Sequence, residues 1–171
     1  MMSSFIAEKL DTIDYFKFIR QFIEIVSTAL IQFHGRIYQY VGDEVVASWV
    51  YNSKNARFCL ESLIETRKLI EQQGEEFRRH YNFVPEFRVG IHIGDVTVGE
   101  IGIIKKDLAM SGDTMNTTAR IRSACSELNQ KFVVSKDVID TLDLKDWQSE
   151  SLGVIDLKGK KEGIELFALK I

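Results

Sequence analysis

Gly42-Asp43 separates two β-forming runs, RIYQYV before it and EVVASWV after it. A two-residue Gly-Asp break between such runs signals a tight hairpin. Long helical patterns flank the pair. From about Asp14 to Phe33, the residues Phe22, Val26, Ala29, Leu30 and Phe33 recur at spacings of three and four and paint one apolar face. His34-Gly35 closes that helix, with glycine at the usual C-cap place. From about Ser53 to Gln73 a second helix carries Phe58, Leu60, Leu63, Ile64 and Leu69 mostly on one side and is capped by Gly74.

FRVGIHIGD alternates, with Phe87, Val89, Ile91 and Ile93 on one face and Arg88, Gly90, His92 and Gly94 on the other. TVGEIGI is expected to pair back on it. Ser111-Gly112-Asp113 suits the start of a helix running to about Leu128. KFVV predicts a short strand, SKDVIDTL a short helix, and VIDLKG…GIELFALKI a final strand pair; Ser4 to Leu10 predicts a short leading helix. Hairpins interleaved with helices imply one layered sheet with helices packed on it, an α+β arrangement. A ferredoxin-like βαββαβ core needs a strand before its first helix, and this chain opens on helices.

The length of 171 residues predicts one domain spanning 1–171. Eleven Phe against the single proline, Pro85, favour long regular elements over a loop-rich module. Lys and Arg total 22 against 25 Asp and Glu, a net charge of −3, which argues against a nucleic-acid partner. Cys59 and Cys125 make no disulfide framework and no CxxC pair, so a reducing, cytoplasmic setting is expected. No apolar run approaches the ~20 residues of a membrane span, and MMSSFIAEKLD lacks the pattern of a signal peptide. Membrane contact within this chain is therefore not expected.

Several residues are suited to chemistry. Asp43, between Gly42 and Glu44, is a rigidly aimed carboxylate that could hold Mg²⁺ together with substrate phosphates; taken alone, ordinary turn chemistry is the commoner explanation. Asn116 and Arg120 are four apart on one helix face, with Ser123 and Glu127 continuing the stripe. They read either as a solvated face or as an amide and a guanidinium reaching for an anion, since the Arg fork binds two oxygens. Gly90 and Gly94 flank His92, and Gly99 and Gly102 repeat the theme, which implies close approach of a ligand, a partner subunit or a bulge. His92 has no Cys or His at metal-ligand spacing, so packing or an interface is expected of it, and His34 and His80 read as helix-end residues. Lys158-Gly159-Lys160-Lys161 reads as a solvated hairpin or a polyphosphate contact. No GxSxG, HExxH or GxxxxGK[ST] pattern occurs.

Taken together and in order, HGRIYQYVGDEVVASW, FRVGIHIGDVTVGEIG, SGDTMNTTARIRSAC and LGVIDLKGKKEGIELFAL resemble the catalytic domain of the class III adenylate/guanylate cyclases, and IAEKLDTIDYFKFIRQF is similar to the family's first helices. The resemblance implies a ferredoxin-like palm with a mixed, mainly antiparallel sheet, dimerising head to tail. It implies conversion of a nucleoside triphosphate, ATP by default or GTP, to its 3′,5′-cyclic monophosphate and pyrophosphate. Two ions, Mg²⁺ or Mn²⁺, would activate the ribose 3′-hydroxyl and neutralise the phosphates. By the same resemblance Asp43 matches the second of two metal aspartates, and Asn116 and Arg120 match the pair that orients the ribose and stabilises pentavalent phosphorus. Lys158 matches the lysine on the terminal phosphates. Asp43 and the Asn116/Arg120/Lys158 set would come from opposite subunits of a homodimer, which makes the glycine-studded strands interface strands.

The chain departs from the family pattern in three places. By the resemblance, the first metal aspartate and the strand it ends would fall just upstream of Met1. Gln39 stands where adenylate cyclases have lysine and guanylate cyclases glutamate. Ala109 stands where aspartate, threonine or cysteine would read the base, which implies weak or unusual base selectivity. Two alternatives follow from these residues. One is a non-catalytic cyclase-like domain that binds nucleotide or pairs with a catalytic partner. The other is a diguanylate-cyclase-type palm enzyme, suggested by Gly42-Asp43-Glu44 but lacking a second glycine, since Val41 precedes Gly42.

Overall fold

The computed structural model describes residues 10–102, 107–141, 147–157 and 162–171. The chain forms two compact units, Met1–Phe87 and Arg88–Ile171.

The first unit holds helix α1 (Thr12–Gln32), strands β1 (Arg36–Val41) and β2 (Glu44–Ser48), and helices α2 (Ser53–Gln72) and α3 (Gly74–Tyr81). Asp11 caps α1 by accepting from the Asp14 amide at 2.9 Å, and Asn52 caps α2 by accepting from the Asn55 amide at 2.8 Å. Phe18, Phe22, Ile25, Ile70, Phe77 and Tyr81 form the buried core. The Phe18 ring meets those of Phe77 and Tyr81 edge-on at 5.9 and 5.3 Å. Gly74, expected only as the cap of the second helix, begins a further helix instead. Phe77 and Tyr81 supply the reason: α3 must turn back to lay both rings on Phe18.

The end of α1 also differs from expectation. His34, with φ 61°, takes the left-handed position, while the amides of His34 and Gly35 donate to the carbonyls of Ile31 and Leu30. Gly35 is needed for space. A Cβ there would lie 2.6 Å from Trp49 Cζ2 and 2.9 Å from the Leu30 oxygen.

β1 and β2 pair antiparallel from Arg36↔Ser48 to Val41↔Glu44, as the Gly-Asp signal requires. Gly42 carries the positive φ of the turn, 60°. The register shifts between Ile37 and Gln39, so Tyr38 is an extra residue that bends β1.

The second unit contains β3 (Val89–Ile91), β4 (Thr97–Ile101), β5 (Asp107–Ser111), α4 (Asp113–Glu127), β6 (Phe132–Ser135), α5 (Lys136–Thr141), β7 (Gln148–Ile155) and β8 (Ile164–Lys170). Its main sheet has the order β3-β6-β8-β7, with β3 and β6 parallel and the other pairs antiparallel. The core beneath is Ile121, Ala124, Cys125, Val133, Leu157 and Leu166. The α+β class with a mixed, mainly antiparallel sheet is as expected, but the described strands form three separate sheets rather than one. The expected leading helix, Ser4 to Leu10, lies outside the described residues except for Leu10.

Three strand assignments are corrected. β4 does not pair back on β3; it pairs antiparallel with β5, from Thr97↔Ser111 to Ile101↔Asp107. The Thr114 hydroxyl donates to the Asp95 carbonyl at 2.6 Å, so the loop after β3 is pinned to α4 before β4 begins. The predicted run Phe87–Ile93 is paired only at Val89–Ile91, because Phe87 packs on the Phe18 core of the first unit. β7 also starts earlier than VIDLKG suggests, at Gln148, since the chain pairs with β8 from Gln148↔Lys170 onward.

The glycine face of β3 is filled by the chain's own helix. A Cβ on Gly90 would lie 2.5 Å from the Arg122 backbone nitrogen, and one on Gly94 would collide with Thr114 Oγ1. The expectation that these glycines mark an intersubunit contact is therefore corrected for Gly90 and Gly94. Gly99 differs, with nothing within 4 Å of its Cβ position. Gly90→Ala should destabilise the fold by about 1–3 kcal/mol, the usual cost of overpacking against unyielding backbone, read as a lowered denaturant midpoint. A variant as stable as wild type would show that α4 can move away from β3.

Candidate active site

The hairpin that carries Asp43 is braced at both ends. At its open end, Trp49 Nε1 donates to the Phe33 carbonyl at 2.8 Å, tying the residue after β2 to the end of α1. Nearer the turn, the Tyr40 and Ser27 hydroxyls are bonded at 3.1 Å. Asp43 is half-buried at the turn, and Gln39, opposite Val46, is exposed. Asp43 thus sits on a two-stranded ribbon with little freedom to swing.

The second group of candidates stands on the β5–α4 segment. Ala109 pairs with Gly99 in β5, and Ser111-Gly112 lead directly into α4. The N-cap of α4 is Gly112, which has no side chain to cap with, so the Ser111-Gly112-Asp113 signal works through the turn and through the acidic Asp113 in the first turn. Thr117, Ile121, Ala124 and Cys125 bury the inner face of this helix. Asn116 and Arg120 lie one turn apart on another face, about 6 Å along the axis, with Asn116 exposed and Arg120 half-buried. Among the described residues neither side chain has a hydrogen-bond or ion-pair partner. The planar fork of a guanidinium can bind two oxygens of an anion. Ser123, expected to extend the polar stripe, donates instead to the Ala119 carbonyl at 3.0 Å. Glu127 is the last residue of the helix.

Sequence reasoning missed two threonines on α4. Thr114 fixes the first turn through Asp95, as described. Thr117 is fully buried and, among the described residues, its Oγ1 has no hydrogen-bond partner. A threonine one place after Asn116 was the available signal, but helical threonines usually satisfy themselves on the preceding turn, as Thr118 does on the Thr114 carbonyl at 2.8 Å.

Asp43 and Gln39 belong to the first unit, and Ala109, Asn116 and Arg120 to the second. Lys158 lies outside the described residues. Among the described residues no group of three or more His, Cys, Asp or Glu side chains is placed to hold a metal ion. The Asp43 carboxylate is a hard oxygen donor, the ligand type that Mg²⁺ takes together with substrate phosphates.

His92 has the packing role expected of it. Its Nδ1 lies 2.8 Å from Ser135 Oγ and 3.8 Å from Asp137 Oδ2. The set looks like a nucleophilic triad in composition, but both partners meet the same ring nitrogen and Ser135 is fully buried. Neither thiol is activated. Burial pushes the Cys59 thiol up to about 12 and also raises that of Cys125. Both are therefore protonated at neutral pH, and thiol reagents should label both slowly, half-buried Cys59 ahead of buried Cys125. A thiol held above its ordinary value of 9.0 stabilises the fold fully below that pH, and the contribution of Cys59 is lost as pH rises from about 9 towards 12. Cys59→Ala should flatten that alkaline loss in a denaturation series; an unchanged slope would contradict the burial of the thiol.

The chain matches the family described as the adenylate and guanylate cyclase catalytic domain over residues 6–170. It belongs to that family. Adenylate cyclase 2 of Rhizobium meliloti (strain 1021) is 27% identical over 169 residues, which cover 98% of this chain and 47% of that protein. The adenylate cyclase of Anabaena cylindrica is 25% identical over 96% of this chain and 34% of its own length. This cyclase-family chain thus spans half or less of the curated relatives it matches. Among solved structures, the adenylyl cyclase CyaB from P. aeruginosa superposes with a TM-score of 0.82 at 22% identity, covering 96% of this chain and 86% of that one. The guanylate cyclase domain of RhGC from Catenaria anguillulae, solved with GTP, superposes with a TM-score of 0.78 at 17% identity, covering 98% and 89%. These superpositions establish the shared fold. Among the described residues no helix is long and apolar enough to cross a membrane.

Proposed function

We propose that this cyclase-family chain converts a purine nucleoside triphosphate, ATP by default, to its 3′,5′-cyclic monophosphate and pyrophosphate. The observation that carries this reading is the pair Asn116 and Arg120, one turn apart on α4 with no partner among the described residues, in a chain of this family. In the reaction the ribose 3′-oxygen forms a bond to the α-phosphorus while the bond from that phosphorus to the bridging oxygen breaks. Pyrophosphate leaves and the 3′-hydroxyl proton passes to solvent. Negative charge spreads over the equatorial oxygens, and a planar guanidinium with several N–H donors is suited to hold it there. The Asn116 amide orients the ribose, and Lys158 holds the terminal phosphates. Asp43 would hold Mg²⁺ or Mn²⁺, whose bound charge neutralises the phosphates and activates the attacking hydroxyl.

The working unit in this reading is a homodimer, in which Asp43 of one chain meets Asn116, Arg120 and Lys158 of the other. The β4–β5 hairpin supports it: a lone two-stranded ribbon that leaves Val98 and Ile101 54% and 58% exposed wants a surface to lie on. Gln39 and Ala109 take the base-reading positions. A glutamine amide both donates and accepts, so it can meet either purine edge, and alanine adds no hydrogen bond. Specificity constants for ATP and GTP should then lie within roughly tenfold of each other, because strong discrimination needs hydrogen-bonding groups that the wrong base leaves unpaired. The chain is expected to act in the cytoplasm.

The test is direct. The chain is incubated with ATP or GTP and either Mg²⁺ or Mn²⁺, and the products are separated by chromatography. Cyclic nucleotide and pyrophosphate in equal amounts are expected. Nucleotide binding without any cyclic product would overturn the catalytic reading in favour of a cyclase-like binding domain.

A further inference from the structure

Helix α1 presents a second ordered stripe directly opposite its core. Phe18, Phe22, Ile25 and Ala29 are buried. Ile13 and Ile31 lie five whole turns apart at about 3.6 residues per turn, on one line along the outer side. Arg20 and Glu24 fall within about 20° of that line at 100° per residue. Ile13 is 68% exposed and Ile31 62%, and Phe16 beside them is 66% exposed. Each isoleucine stands bare at one end of the same outer line.

The charges between them are ordered as well. Arg20 and Glu24 are exposed, and among the described residues neither has a side-chain partner, although they stand one turn apart. Arginine placed N-terminal to glutamate is the less favourable order for a pair within one helix. Along the stripe the order is Ile, Arg, Glu, Ile. Against an antiparallel copy of itself, Ile13 meets the partner's Ile31 and Arg20 meets the partner's Glu24, and each contact occurs twice. A two-fold contact between identical surfaces requires that kind of self-complementarity. An open groove of about 650 Å³, lined by Ile23, Glu24, Ile31 and Tyr40 among others, offers room for the partner's side chains.

We propose that α1 is a homotypic docking helix, which pairs antiparallel with α1 of a second copy of this chain through Ile13, Arg20, Glu24 and Ile31. The contact uses none of the residues assigned to nucleotide chemistry, so it stands whether or not the cyclase reading does.

The experiment mixes full-length chains carrying Ile13→Cys with chains carrying Ile31→Cys and measures cross-linking by a short bis-maleimide. Chains with only the natural Cys59 and Cys125, whose thiols burial holds protonated, set the background. Cross-linking between the two kinds of chain is expected to exceed that within either kind. Adding Arg20→Glu to all chains, or Glu24→Arg to all chains, should cut the yield roughly tenfold, since both symmetry-related pairs become like-charged. Combining R20E with E24R should restore it. All four positions are exposed, so the fold should tolerate these changes. A mixture that never cross-links, or a combined variant no better than the single reversals, would overturn the proposal. Either result would leave the stripe to another occupant, such as a segment outside this chain.

Discussion

Arg120→Ala should lower kcat by roughly 10²–10³, about 2.7–4 kcal/mol, the scale of removing one donor from a site of developing negative charge. The charge at phosphorus grows mainly in the transition state. Its stabiliser therefore acts on kcat and kcat/KM together and changes KM little. Arg120→Lys should rescue little, because a single ammonium cannot reproduce the planar fork. Folding should be almost untouched, since the guanidinium has no partner among the described residues and α4 is held by Thr117, Ile121, Ala124 and Cys125 on another face. Asn116→Ala should behave similarly. Steady-state kinetics with a thermal denaturation control check all three variants. A rise in KM at constant kcat would place Arg120 in ground-state binding instead.

Asp43→Ala should cost at least ~10² in turnover at fixed metal concentration, because Lewis-acid stabilisation of transferring phosphoryl groups is worth several kcal/mol. Raising the metal concentration should recover part of the loss, as a weakened site is refilled by mass action. Asp43→Asn keeps the shape of the turn and removes the charge, so a similar loss there separates metal binding from turn geometry. Gly42 carries the demanding φ of the hairpin, so the fold should survive either change at Asp43. Full activity in Asp43→Asn would remove this residue from the metal site.

The parts of the fold that were legible in the sequence are those with local signals. Gly42-Asp43 marks a turn whichever surface the strands meet, and the spacing of Phe22, Ala29 and Leu30 fixes the inner side of α1. What was not legible depends on partners distant in the chain. Phe18 belongs to the core because Phe77 and Tyr81 reach it from α3, and nothing near Phe18 announces them. The alternation in FRVGIHIGD is real, yet Phe87 is claimed by one core and Gly90 by the backbone of α4, so only three residues pair as a strand. Those glycines signalled close approach correctly but not what approached. The site was less legible than the fold. Asp43 has the chemistry of any turn aspartate, and Asn116 and Arg120 that of any solvated helix face. Only the joint order of motifs gave them roles, and the structure adds that Asn116 and Arg120 are left without partners among the described residues.

Mixing Arg120→Ala chains with Asp43→Ala chains tests the shared site most directly. Each variant alone should be nearly inactive. In an equal, randomly paired mixture, half the dimers are mixed, and one of the two sites in each mixed dimer keeps both Asp43 and Arg120. Turnover should therefore rise to roughly a quarter of the wild-type value per chain, as two-fold symmetry requires. A mixture that stays at the level of the single variants, while mixed dimers are shown to form, would contradict a site built from Asp43 of one chain and Arg120 of the other.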